Sequence, residues 1–345
     1  MNVEIAALLI QDGLTNGAIY ALLALALVLV FAVTRVVFVP QGEFVTFGAL
    51  SLAALQNGTA PKTIWLLLGL GVVATILEVV ALARRSAPTR SYALVVAGWL
   101  VMPSLVAAIL WFAAPMKLAL PWQVCLAVLS VTAMGPLLYR IAIQPVAQAS
   151  VLVLLIVAVA VHFVLSGLGL LFFGAEGSRT PAFTDAAFQL GAVNVTGQSL
   201  YVYAVSALAI GGLYWAFNYT LYGKALMATA FNRVGARLVG ISPNFAGALT
   251  LTVAAALGAF SGVLIGPITT VYYESGFLVG LKGFVGAIVG GLVSYPLAAA
   301  GALLIGLIES FASFWASQYK EVIVFTLIIP VLLWRSLKTR HHEDE

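Results

Sequence analysis

The sequence predicts an all-α polytopic membrane protein with about 9–11 transmembrane segments, and three observations carry that class. Of the 345 residues, 63% are hydrophobic and only 8% are charged, whereas an average soluble domain is about one quarter charged. Mean hydropathy is +1.10. Most of the chain falls into apolar stretches close to the ~20 residues that a spanning helix needs, separated by short polar breaks. So little charge cannot coat a water-facing surface. A soluble enzyme is therefore excluded, and residues 1–345 read as a single transmembrane domain.

The apolar runs fall at about 14–33, 43–57, 63–83, 92–114, 121–139, 149–173, 199–219, 245–266, 278–293, 297–315 and 322–334. The opening, MNVEIAALLIQDG, carries Glu4 and Asp12 without a basic n-region, so it reads as a short amphipathic lead-in and not as a cleaved signal peptide. The first run then continues without charge up to Arg35. The second follows VPQGEFVTFG, where Pro and Gly interrupt the hydrophobic pattern, and it is short for a full crossing. The next three are bounded by Lys62, by Arg84, Arg85 and Arg90, by Lys117, and by Arg140. The sixth contains His162, and the seventh follows a long polar break. The eighth begins beyond Pro243, the ninth is short and Gly-rich, and the tenth contains Glu309. The last lies between Lys320 and Arg335. One or two of the short runs are expected to be re-entrant or broken.

Placing the breaks alternately on two sides puts Arg35, Arg84, Arg85, Arg90, Arg140, Lys224, Arg233, Arg237, Arg335, Lys338 and Arg340 together. The other side receives Lys62, Lys117, Arg179 and Lys320. Positive charge favours the cytoplasmic side, so the N-terminus is expected outside and the C-terminus inside. The net charge of +4 is scattered through short breaks and forms no dense patch, so no nucleic-acid partner is expected. Cys125 is the only cysteine, which excludes an internal disulfide framework.

Two breaks are long enough for structure of their own. The outer one, 174–198, is rich in Gly, Ser, Thr and Asn and includes Glu176, Arg179 and Asp185. The inner one, 220–244 within NYTLYGKALMATAFNRVGARLVGISPNF, reads as one or two short helices ending at Gly240, with Pro243 as a stop signal.

No phosphate-binding G-x-x-x-x-G-K-[ST] loop, H-E-x-x-H or G-x-S-x-G elbow occurs, so neither an energy converter nor an enzyme is expected, and no metal or cofactor. His341 and His342 lie in the tail, and His162 stands alone in a span as a packed interior residue or a proton relay. The carboxylates within apolar stretches are Glu43, Glu78, Glu274 and Glu309. Glu78 is expected to pair locally with Arg84 or to snorkel, and Glu309 to join helices or meet substrate.

Glu43 and Glu274 sit where Gly or Pro breaks a hydrophobic run, and paired broken segments point to a substrate route because unwound backbone offers polar groups that lipid cannot satisfy. The expected route is therefore 40–44, with Gln41, Gly42 and Glu43, opposite 272–283, with Tyr272, Tyr273, Glu274 and Lys282. The competing readings are that the glycines only permit close helix packing and that Glu43 caps the helix after it.

At this point the residues converge on a family. The chain resembles the membrane permeases of bacterial ABC importers for branched-chain amino acids, in particular the smaller of the two in the high-affinity system. The matching stretches are GLTNGAIYALLALALVLVF at 13–31, GEFVTFGAL at 42–50, EGSRTPAF at 176–183, YGKALMATAFNRVGARLVGISPNFAGALTLT at 222–252, GFLVGLKGFVGAIVGGLVSYPLAAAGALLIGLIES at 276–310 and QYKEVIVFTLIIPVLL at 318–333. They occur in family order and cover most of the chain outside 86–138.

The resemblance implies a non-catalytic half of a translocation pathway across the inner membrane. It implies as partners a second permease subunit, two cytoplasmic ATPase subunits and a periplasmic substrate-binding protein, with the lipid bilayer around the chain. It also implies that 220–244 is the ATPase-coupling loop, with Gly223, Lys224, Arg233, Arg237 and Gly240 as its candidate residues. A bare contact of its basic residues with anionic lipid is the alternative.

Three departures stand out. FVPQGE at 38–43 replaces the family's N-F-A-H-G-[DE], Phe231 stands where an acidic or amide residue is usual, and 86–138 reads as a two-span insertion. For that insertion, either 64–85 or 122–146 could be the family span that precedes the next one. Other readings are an ABC permease for urea, an aromatic acid or a sugar, and a proton-coupled carrier using Glu43, Glu274 and His162.

Overall fold

The computed structural model describes residues 3–84, 89–184, 186–190 and 193–340. Arg85, Asp185, His341 and His342, and the side chains of Arg90, Arg335, Lys338 and Arg340, lie outside the described residues. The elements run α1 (Val3–Thr34), α2 (Gln41–Gln56), α3 (Thr63–Arg84), α4 (Thr89–Ala113), α5 (Leu120–Thr132), α6 (Met134–Leu138), α7 (Val151–Phe173), β1 (Ala187–Leu190), β2 (Val193–Thr196), α8 (Gly197–Tyr219), α9 (Leu221–Phe231), α10 (Arg233–Leu238), α11 (Pro243–Ile265), α12 (Ser275–Val289), α13 (Tyr295–Trp315), α14 (Lys320–Thr326) and α15 (Ile328–Arg340).

Eight helices among the described residues are long and apolar enough to cross a membrane. The two segments that begin at the interrupted sequences are shorter, 16 residues in α2 and 15 in α12. The last segment is split at Leu327 into α14 and α15, three residues ahead of Pro330. The N-terminal lead-in is not a separate element but the first turns of α1, a single 32-residue helix. At 1.5 Å per residue α1 is about 48 Å long, well beyond the ~30 Å of hydrocarbon.

From Ala21 to Val33 α1 is apolar all round, as suits a helix enclosed by others. It packs against α13, α11, α12 and α8, and Ile19 and Leu22 are fully buried. Without a hydrophobic driving force in lipid, small residues allow the close approach: a Cβ on Gly17 would fall 2.8 Å from the Leu303 backbone of α13. A second layer forms where α2 packs against α11, α12 and α5. α3 and α4 pair with each other at the edge, with only 28% and 22% of their apolar windows buried, against 56% for the span that contains α5. The polar break at 174–198 contains the antiparallel hairpin β1–β2, a small strand element that the all-α expectation did not include.

Contacts sort the connections into two ends. At one, Arg35 Nη2 donates to the Ala230 carbonyl at 3.4 Å and Arg233 Nη1 to that of Ala147 at 3.5 Å. At the other, Arg179 Nη2 donates to the Pro267 carbonyl at 3.1 Å, and Ser178 pairs with Val271 through two backbone bonds of 2.9 Å.

Candidate functional site

The two short helices have one feature in common: each begins after the chain has turned back into the protein. α1 stops at Arg35, whose φ of +62° breaks the helix. Val36 and Phe38, each 1% exposed, carry the chain inward to Gln41. Five fully extended residues would reach about 16 Å, roughly half the hydrocarbon thickness, and the turn that Gln41 N–H closes on the Phe38 carbonyl at 3.2 Å shortens this stretch further. From the opposite end, α11 closes beside Thr180, whose N–H donates to the Gly266 carbonyl at 3.2 Å, and the chain re-enters through Val271 to Ser275.

The first turns of α2 and α12 then meet. Gly276 N–H donates to Thr46 Oγ1 at 2.9 Å, and a Cβ on Gly280 would lie 2.8 Å from the Gly42 Cα. Two helix N-termini, each with partial positive charge, therefore converge where backbone N–H groups lack intrahelical partners. Glu43 stands in the first turn of α2 with 0% exposure. Its Oε1 is 2.8 Å from Nδ1 of His162 on α7, and the imidazole stacks on Phe277 of α12 with centroids 4.4 Å apart. Gln41 Nε2 donates to the Ala254 carbonyl at 2.8 Å. Glu43 Oε2 and Gln41 Oε1 have no hydrogen-bond partner among the described residues.

Lys282 is not at this junction. It lies farther along α12, 5% exposed, with Nζ 2.6 Å from Glu309 Oε1 on α13 and 3.1 Å from Glu321 Oε1 on α14. Tyr20 on α1 donates its hydroxyl to Glu309 Oε2 at 2.7 Å. Ser310 donates to Asp12 Oδ2 at 3.2 Å. Tyr272 and Glu274 are exposed and Tyr273 is half-buried, so the seven residues expected on a route divide into an enclosed trio (Gln41, Gly42, Glu43), an outward-facing group (Tyr272, Tyr273, Glu274) and buried Lys282.

The inner break forms two helices. Thr220 caps α9 by accepting from Gly223 N–H at 3.0 Å, and Asn232 caps α10 by accepting from Gly235 N–H at 2.9 Å. α10 ends at Leu238, two residues before Gly240, whose φ of +87° lets Ile241 N–H turn back to the Ala236 carbonyl at 2.9 Å. Lys224 and Arg237 are exposed, Arg233 is half-buried and Gly223 is buried. Several apolar side chains stand outward as well: Phe231 at 84%, Leu238 at 83% and Val239 at 75% exposure.

Glu78 pairs with Arg140 Nε at 2.7 Å, not with Arg84. Sequence reasoning passed over that partner and also Asp12, Tyr20 and Glu321. A signal for two of them was present, since Asp12, Asn16 and Tyr20 are spaced by four and share one face of α1. Among the described residues no group of three or more His, Cys, Asp or Glu side chains could hold a metal ion.

Comparison with known proteins agrees with this architecture. The family model described as "Branched-chain amino acid transport system / permease component" matches residues 9–332. The high-affinity branched-chain amino acid transport system permease protein BraD of Pseudomonas aeruginosa is 32% identical over 211 residues, 59% of this chain and 69% of that protein. The high-affinity branched-chain amino acid transport system permease protein LivH of Escherichia coli K12 is 31% identical over 214 residues, 60% of this chain and 70% of that protein. No solved structure matches. A match through nearly the whole chain, with eight spanning helices and interrupted α2 and α12, leads to one conclusion: the chain belongs to the permease components of branched-chain amino acid transport systems.

Proposed function

We propose that the chain forms half of the translocation pathway of an ABC importer in the inner membrane, with the N-terminus outside and the C-terminus in the cytoplasm. A second permease subunit completes the pathway, two cytoplasmic ATPase subunits power it, and a periplasmic binding protein delivers the amino acid. The chain supplies the pathway and not the catalysis.

The observation that carries this reading is the α9–α10 projection. It stands at the end where Arg35 and Arg233 make their backbone contacts, which suits the cytoplasmic face. It exposes Phe231, Val234, Leu238 and Val239 together beside Arg237. Contiguous exposed apolar side chains mark an interaction surface, and two short capped helices make a rigid lever for an ATPase to push. Gly223, Lys224, Arg233 and Gly240 shape and orient that lever.

The route reading takes a specific form here. Gln41, Gly42 and Glu43, at the junction with α12, line the route opposite 272–283, with Tyr272, Tyr273 and Glu274 ahead of α12 and Lys282 farther along it. The added pair of spans fits α3–α4 better than 86–138, because α3 and α4 pack mainly with each other while α5 joins α2 and α11.

The test is co-purification of the permease with its ATPase subunits. Phe231→Asp with Leu238→Asp should abolish ATPase recovery while the permease itself is still inserted and purified. Normal recovery would remove α9–α10 from the coupling role.

A further inference from the structure

At the end away from α9–α10, a cavity of about 340 Å³ opens between α1, α12, α13 and the start of α14. It is near the lower bound of ligand cavities, about 300–1,000 Å³, and so suits a small solute. Its lining is mixed in chemistry. Charged groups come from Asp12, Lys282, Glu309 and Lys320, and Asn16, Tyr20, Ser310 and Ser313 add hydrogen-bonding groups around them. Aliphatic side chains line it as well, from Ile265 at the end of α11, Ile268 just beyond it, and Leu278 and Val279 of α12.

We propose that this cavity is a transit subsite for an α-amino acid zwitterion with an aliphatic side chain. The ammonium group is met by Asp12 and Glu309, the carboxylate by Lys320 and Lys282, and the side chain by the aliphatic residues. The inference rests on the permease reading above and adds the residues of this chain that meet the cargo. Both signs of charge in one cavity, with Lys282 Nζ and Glu309 Oε1 2.6 Å apart, match a zwitterion, whereas a neutral sugar or urea gains little from them and a lone anion or cation is repelled by half of them. Lys282 and Glu309 are tied to each other and to Tyr20 and Glu321, so the charged lining is rigid before cargo arrives. Asp12 is exposed and Lys320 half-buried, leaving the outer pair accessible. A shared, partly satisfied set of charges holds a zwitterion loosely, as a conducting site must if the cargo is to leave again.

The test uses the complete reconstituted transporter with saturating leucine-loaded binding protein, comparing leucine with alanine. Asp12→Asn and Lys320→Gln should each lower leucine uptake about tenfold, the loss of one charge-assisted hydrogen bond at the limiting step, while the complex still purifies intact. Ser313→Trp, on an exposed position at the cavity wall, should block uptake without disturbing the core. Leu278→Trp narrows the aliphatic lining and should lower leucine uptake more than alanine uptake. Uptake within about twofold of the unmutated complex in the three polar-lining variants, or equal losses for both amino acids in Leu278→Trp, would overturn the subsite. Failure of the unmutated complex to take up leucine at all would instead overturn the permease reading and the subsite with it.

Discussion

Glu43 Oε1 lies 2.8 Å from His162 Nδ1, joining the first turn of α2 to the middle of α7 across 119 positions of sequence. With Phe277 stacked on the other side of the imidazole, this contact locks the start of both half-helices to a full span. The carboxylate thus serves two purposes: it faces the positive end of its own helix and it holds α7.

Replacing His162 by Leu leaves the Glu43 carboxyl group buried with neither oxygen partnered, and should lower the stability of the purified permease by about 1–3 kcal/mol. Glu43→Gln, whose amide can still meet the imidazole, should cost less. Thermal unfolding in detergent measures both. Equal melting temperatures for His162→Leu and the unmutated protein would mean that the contact is not maintained in solution.

Lys282 is enclosed by Glu309, Glu321 and Tyr20, so Lys282→Met leaves the buried Glu309 carboxylate with the Tyr20 hydroxyl alone and should destabilise the protein by about 3 kcal/mol, the low end for a broken buried pair. Adding Glu309→Gln should recover part of that loss. In a double-mutant cycle the coupling should exceed the ~0.5 kcal/mol expected of independent sites, and additive losses would show that the pair does not interact.

α1 and α13 approach so closely at Gly17 that a Cβ there would lie 2.8 Å from the Leu303 Cα. Gly17→Leu should therefore separate the helices at a cost of about 1–3 kcal/mol, seen as reduced yield and a lower melting temperature. An unchanged melting temperature would place the helices farther apart than described.

Sidedness is tested in a Cys125→Ser background with single cysteines at two exposed positions, Glu176 and Val239. An impermeant thiol reagent applied to intact cells should label Glu176→Cys and spare Val239→Cys. The reverse pattern would invert the orientation argued from the basic residues.

The membrane class and the places of the segments were legible because composition and run length are local properties. The shortness of α2 and α12 was legible from Gly and Pro at 40–42 and 266–276, and the end of the inner helices from Gly240 and Pro243. What could not be read was which embedded charges meet. Glu78 finds Arg140 from 62 positions away, and Lys282 finds Glu309 and Glu321, because the order in which helices pack decides these pairs and no periodicity encodes it. The exposure of Phe231, Leu238 and Val239 on α9–α10 was not legible either, because exposed and buried apolar residues look alike in a chain this hydrophobic.

The most direct measurement is ATP-driven uptake of labelled leucine into proteoliposomes, comparing the complete complex with this chain alone under a proton gradient. The expected result is uptake that needs ATP, the binding protein and both ATPase subunits, and that disappears with Phe231→Asp and Leu238→Asp together. Robust proton-driven uptake by the chain alone would contradict it and make the protein a carrier in its own right.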